Sequence, residues 1–367
     1  NKELFKACAI YKDKTYKWKK YPVVWLNFSE LVSKEPELLE KELQYKLLEV
    51  ANKYGINKLK APSLSTKLGE LINILGRLQE GYEPTPIILI DEYDSPLISC
   101  EKAQYEEVLA LLSSFFKVLK SRQKDCKFIF ITGVTKFHLS GLTSGANSAN
   151  DISFHEDYAE MLGYTEEDID NLFLSKDRIV HPILERLNRK NTQEEKYTFI
   201  QLKQALKDYY NGYCFSRNKS TKRMYNPDSI LKFFRDRAFG NYWSNSGNPA
   251  ILLKQIKNNI DRFTIPWDQS SFSINQLDFE SLAGAISEIA LFPLMYQTGY
   301  LTLDPNGFKE DTRADKNPMD YYLKFPNQEV KSALSLTLAK VMDEIQEETG
   351  KQYSTSILSS LRNKQWS

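Results

Sequence analysis

Four consecutive apolar residues, Ile87, Ile88, Leu89 and Ile90, run directly into the acids Asp91 and Glu92 within PTPIILIDEYDSPLIS. A short run rich in β-branched residues and bounded by prolines predicts a strand buried on both faces, as in a parallel sheet. Ligands of open parallel sheets sit at the carboxyl ends of the strands. Carboxylates placed there are positioned to meet a metal ion, a phosphate or a water. This one stretch therefore constrains both the fold and the end of the sheet where chemistry belongs.

The surrounding chain supplies the rest of such a fold. YPVVWLNFSEL predicts a second apolar strand over 23–27. EPELLEKELQYKLLEVANKYG follows in helical period and stops at Gly55. LSTKLGELINILGRLQEGYE predicts another amphipathic helix, ending near Gly81. AQYEEVLALLSSFFKVLKSRQ predicts a third, and CKFIFITGV (126–134) another buried strand. This alternation is that of a doubly wound α/β domain.

Beyond Phe154 the texture becomes helical. Thr165 stands as an N-cap before acids in LGYTEEDIDNLF, and TFIQLKQALKDYYNGY and YNPDSILKFFRDRAF keep helical period. LFPLMYQTGYLTL and DYYLKFPNQEV read as paired strands across a polar loop over 304–320, and KSALSLTLAKVMDEIQEE as a closing helix. Three segments result. Residues 1–153 form an incomplete α/β core. Residues 154–290 form a helical region. Residues 291–367 hold a β-hairpin, a C-terminal helical segment and the start of a truncated further module.

Composition narrows the function classes. The 49 basic and 48 acidic residues leave a net charge of +1, which gives no bulk attraction to nucleic acid or anionic membrane. No apolar run reaches the roughly 18–20 residues needed to cross a bilayer. Cys8, Cys100, Cys126 and Cys214 show no CxxC spacing, so reduced thiols in a cytoplasmic protein are expected.

ILIDEYD has the form of a Walker B element. Asp91 would hold a Mg²⁺-bound water, and Glu92 would polarise the water that attacks a γ-phosphate. Asp94 is expected to cap the following turn with Ser95 and Pro96. FIFITGVTKF offers Thr132 and Thr135 as hydroxyls at the end of a neighbouring strand. The phosphate-cradling loop, G-x-x-x-x-G-K-[ST], is not found at any glycine of the chain; GLTSGANS (141–148) is small and polar but carries no lysine. Glu329-Val330-Lys331 superficially fits the ExK of PD-(D/E)xK nucleases, yet a helix start after Pro326 explains it better. His138, His155 and His181 have no metal spacing.

Taken together, VVWLNFSEL, ILIDEYDSPL, FIFITGVTKF, YAEMLGYTEEDI, YYNGYCFS, YNPDSILKFF, YWSNSG, YQTGYLTL and YLKFPNQEV resemble the bacterial AAA-ATPase-like proteins. That family often carries a C-terminal PD-(D/E)xK nuclease-like module. The resemblance implies an AAA-type P-loop NTPase-like parallel sheet with helices on both faces, then a mostly helical region and a small β-hairpin-containing region. By motif match it implies Asp91 and Glu92 as the Walker B acids, with Asp91 the metal and cofactor ligand, Glu92 and Thr132 catalytic, and Thr132 near the sensor strand. In such proteins the Walker A loop precedes the segment that here reads NKELFKACAIY. The chain thus reads as an interior piece of a Mg-ATP-dependent parent, with no tight nucleotide binding expected in this form. The alternatives are a scaffold that binds a protein partner through its Tyr- and Trp-rich stretches, and, by family analogy alone, a part of a nucleic-acid-processing ATPase or nuclease. Loss of a strand beside 87–90 would leave an apolar edge, so self-association is also expected.

Overall fold

The structure, a computed structural model, describes residues 2–78, 81–135, 150–189, 196–243, 252, 271–275, 291–307 and 320–349. These belong to two compact units, Asn1–Asn150 and Asp151–Ser367. The loop over 304–320 and the GLTSGANS run lie largely or wholly outside the described residues.

The first unit is built on three parallel strands, β1 (Val23–Asn27), β2 (Ile87–Asp91) and β3 (Phe128–Ile131), in the order β1-β2-β3. The register sets Asn27 opposite Asp91 and Ile90 opposite Ile131. Three helices pack with them: α1 (Pro36–Asn52), α2 (Leu64–Leu75) and α3 (Tyr105–Ser121). Pro36 opens α1, where its missing N–H is not needed. Leu39, Leu43, Leu47 and Val50 then recur at helical spacing and are all buried. Ser63 and Thr66 close a capping box at the start of α2. That helix ends at Gly76 rather than near Gly81. The Gly76 amide donates to the Ile72 carbonyl, and the Pro84 carbonyl passes 3.4 Å from where a Cβ would stand. Phe115 and Phe116 of α3 flank the buried Phe28, with ring centroids 5.9 and 6.2 Å away.

The sheet corrects one expectation about its edge. β2 is central and paired on both sides, so the 87–90 strand has no open flank. Among the described residues, the outer sides of β1 and β3 are both unpaired. None of Phe128–Ile131 is buried, although their composition predicted a strand covered on both faces. Phe128 is 52% exposed, and its ring stacks on Phe130 at 5.9 Å. An apolar edge of this kind promotes edge-to-edge association. The chain is therefore expected to self-associate with rising concentration in light scattering after size exclusion, and Phe128→Lys should shift it toward monomer. A concentration-independent monomer would contradict this.

In the second unit, α4 (Asp177–Asn188), α5 (Phe199–Tyr210) and α6 (Pro227–Asp236) meet around Ile183, Leu202, Leu206, Tyr210, Ile230 and Phe233. Thr165 caps its turn through a reciprocal pair with Asp168. Thr198 does the same for α5 with Gln201. A second sheet has the order β4 (Phe272–Ile274), β6 (Tyr321–Lys324), β5 (Thr302–Leu303), all antiparallel. The stretch LFPLMYQ, expected as strand, is instead the helix α7 (Leu291–Gln297). Its Pro293 falls in the first turn, where proline is tolerated. Only Thr302 and Leu303 of that segment pair with β6. The long helix α8 (Gln328–Thr349) completes the unit.

Candidate functional site

The carboxyl ends of β2 and β3 bring Asp91, Glu92, Tyr93 and Asp94 against Thr132, Gly133, Val134 and Thr135. The ladder ends at Ile90 and Ile131, yet the pairing continues by other means. The Thr132 amide donates to the Ile90 carbonyl at 2.9 Å, and the Tyr93 amide to the Thr132 carbonyl at 3.0 Å. The Thr132 hydroxyl donates to Asp91 Oδ1 at 2.5 Å. Asp91 Oδ1 also accepts from the Glu92 amide at 3.1 Å. Both acids are solvent-exposed at the strand end.

Glu92 has φ of +49°, one of two non-glycine residues with positive φ among those described. The left-handed region costs an ordinary residue roughly 1 kcal/mol or more. It reverses the chain immediately after the strand, so that the Glu92 carbonyl accepts from Ser95. Partial burial, then the charges of Asp91 and Asp94, hold the Glu92 carboxyl above the ordinary glutamate range. Nearby acids of one sign make each proton harder to remove.

Asp94 departs from its expected role. Its backbone begins the helical turn Ser95–Ser99, but its side chain makes no cap hydrogen bond. The carboxylate turns instead toward the neighbouring strand end and is fully buried. It accepts from the Val134 amide at 3.2 Å, the Thr135 amide at 2.5 Å and the Thr135 hydroxyl at 2.6 Å. Burial raises its proton affinity, and these hydrogen bonds oppose the rise. Thr135 is thus engaged in the interior, whereas Thr132 faces Asp91. Of the two candidate hydroxyls, only Thr132 meets the acid pair. Asn27 was not anticipated; it ends β1 in register with Asp91, and its side chain accepts from the amide and hydroxyl of Ser29. The signal available for it was positional, a polar residue closing an apolar strand.

Among the described residues no group of three or more His, Cys, Asp or Glu side chains could hold a metal ion. A single exposed carboxylate beside a hydroxyl is still a fitting donor set for Mg²⁺, which binds through one or two carboxylates and keeps waters and substrate phosphates as its other ligands. Asp91 would be that carboxylate.

Residues 1–143 match the AAA-ATPase-like family model, described as predicted AAA-ATPase. Over these residues the amino-terminal unit is similar to that family. Its parallel α/β core is P-loop NTPase-like in fold, with a largely helical region following in the chain. A relative from Azotobacter chroococcum mcd 1, an uncharacterized protein in the vnfD 5′ region, is 27% identical over 341 residues. The alignment covers 92% of this chain and 58% of that relative, so the chain spans little more than half of the relative's length. No solved structure matches.

The other motifs resolve into packing. Glu329 lies in the first turn of α8 and is fully buried, as a helix start after Pro326 requires, and not on a strand as a nuclease ExK would be. Lys331 lies over the Phe325 ring at 5.9 Å. Tyr210, Tyr213, Tyr225 and Trp243 are buried, whereas Tyr209, Tyr242 and Tyr296 are partly exposed. No helix among the described residues is long and apolar enough to cross a membrane.

Proposed function

We propose that the AAA-ATPase-like unit contributes the Walker B half of a site that hydrolyses Mg-ATP. The observation that carries this reading is the convergence of Asp91, Glu92 and Thr132 at the carboxyl ends of two parallel strands, with the Thr132 hydroxyl bonded to Asp91. In this reading Asp91 holds the magnesium ion, which supplies charge neutralisation to the phosphates. Glu92 accepts a hydrogen bond from the attacking water and orients it. Its raised proton affinity suits a group that must take up a proton near neutral pH. Thr132 fixes the Asp91 rotamer and presents its oxygen toward the same space.

The reading needs a phosphate-cradling loop that these 367 residues do not hold. The unpaired side of β3 offers a place where a further parallel strand bearing such a loop would dock. Hydrolysis is accordingly expected only when that loop is supplied, and this chain alone is expected to bind Mg-ATP weakly or not at all.

Calorimetry with Mg-ATP, on this chain and on one extended upstream through a Walker A loop, tests the proposal. Binding and turnover by the extended chain are expected. Glu92→Gln should then reduce turnover by about 10²–10⁴-fold while nucleotide still binds. Asp91→Asn should weaken the magnesium-dependent part of binding. Undiminished turnover in the Glu92→Gln chain would sink the assignment.

A further inference from the structure

The fully buried Asp94 carboxylate has no place in the Walker B reading, yet it is the most heavily bonded acid at the site. It reaches from the turn after β2 to the segment after β3 and receives three donors there. The Tyr93 hydroxyl crosses in the same direction and donates to the Thr135 carbonyl at 2.9 Å. Gly133 lies under both. A Cβ at Gly133 would stand 2.5 Å from the Tyr93 ring and 2.7 Å from Asp94 Oδ1, so the absence of a side chain there lets the two segments close.

These contacts bracket Glu92. On its amino side, Asp91 is bonded by Thr132. On its carboxyl side, Tyr93 and Asp94 are bonded to residues 132, 134 and 135. A non-glycine residue in the left-handed region relaxes unless its neighbours over-determine it. The burial of Asp94 makes the restraint strong, because breaking it strands a buried carboxylate without donors.

We propose that Asp94 and Thr135 form a positioning latch that holds Glu92 in its left-handed conformation beside Asp91. Its catalytic meaning rests on the Mg-ATP reading, but the latch itself is a statement about backbone conformation. Asp94 touches neither the reacting atoms nor the metal. It acts by fixing where the Glu92 carboxylate leaves the chain. A Glu92 relaxed to negative φ would project its side chain in another direction while Asp91 stayed on the strand.

The test uses isotope-labelled protein of this full sequence in solution, without nucleotide. Positive φ brings the amide and α protons of one residue together, so Glu92 should give a strong intraresidue nuclear Overhauser effect in the wild type. Thr135→Val keeps the shape of Thr135 and removes its hydroxyl, whereas Thr135→Ser restores that hydroxyl. The strong Glu92 signal should be lost in the valine variant and kept in the serine variant. Exchange of the Thr135 amide should accelerate by about tenfold in the valine variant alone. Gly133→Ala, which drives the Tyr93 ring and Asp94 apart from residue 133, should also lose the signal, and it decides the matter if Thr135→Val does not fold. A weak signal in the wild type, or a strong one in a folded Thr135→Val or Gly133→Ala chain, would overturn the latch. Since no nucleotide is used, failure of the latch is separate from failure of the ATPase reading, which the Glu92→Gln turnover measurement decides.

Discussion

Gly212→Ala is expected to destabilise the second unit by more than about 3 kcal/mol, the largest effect of a methyl addition at any of the described glycines. Gly212 has φ of +114°, and an alanine Cβ would stand 1.9 Å from the Pro326 carbonyl oxygen and 2.9 Å from its carbon. The obstacle is backbone, not the movable end of a side chain, and both segments are tied. On one side the Asn211 amide closes α5 on the Lys207 carbonyl. Beyond Gly212, the Cys214 amide donates to the Thr302 hydroxyl at 2.7 Å, which in turn donates to the Cys214 carbonyl. On the other side, Asn327 caps α8 by accepting from the Val330 amide. Relief of the clash would therefore break one of these ties. Gly55→Ala is the matched comparison, since Gly55 also has positive φ, at +76°, but open space around its Cβ position. That change should cost only about 1 kcal/mol. Urea unfolding of both variants measures the difference. Equal midpoints would mean that Pro326 yields, and that the strain is conformational only.

What the sequence made legible, and what it hid, follows from the range of the interactions involved. The strand at 87–91 was readable because a fully apolar run with β-branched residues has few other places to go. α1, α3, α5 and α6 were readable from period and caps, which are local. Asp91, Glu92 and Thr132 followed from strand ends, again a local signal. Asp94 was misread because its type and its neighbours Ser95 and Pro96 suggest a turn cap, whereas its partners stand about forty residues away, in the segment after β3. The openness of β3 was equally hidden, since an apolar strand reads the same whether or not a neighbour covers it. LFPLMYQ contains aromatic and apolar residues in a mixture that periodicity cannot assign over seven positions. The burial of Glu329 was invisible for the same reason as the role of Asp94. Its environment is made by Trp243 and α6, far from it in the chain.

Glu329 is also the source of the second large effect: raising the pH from about 4 to about 8 is expected to weaken the second unit. Glu329 is fully buried. One oxygen accepts from the Trp243 amide at 2.9 Å. Burial pushes its pKa up to about 7, only partly offset by the Trp243 amide, the Ser229 hydroxyl and the Tyr242 amide. The folded state therefore keeps its proton where the unfolded chain, near the ordinary value of 4.5, has lost it. Below the unfolded value both states are protonated and the stabilisation is complete. It declines as pH rises and is gone once pH passes the folded value, a total of about 3 kcal/mol. The other acids of this unit with shifted values, Glu166 beside Lys207 and Asp236 beside Arg235, are shifted downward. They titrate below this window and cannot produce the decline. The tyrosines that face Glu329, Tyr209, Tyr210 and Tyr213, are all held above their ordinary range and stay neutral throughout. Asp228 is the nearby acid that adds to the upward shift. Glu329→Gln supplies the decisive comparison. The amide keeps an oxygen for the Trp243 N–H, can still bond the Ser229 hydroxyl, and does not titrate. Denaturant unfolding at several pH values should show the slope in the wild type and its near absence in the variant. Parallel slopes would mean that the proton is shared by groups other than Glu329, and that this carboxylate reaches water when charged.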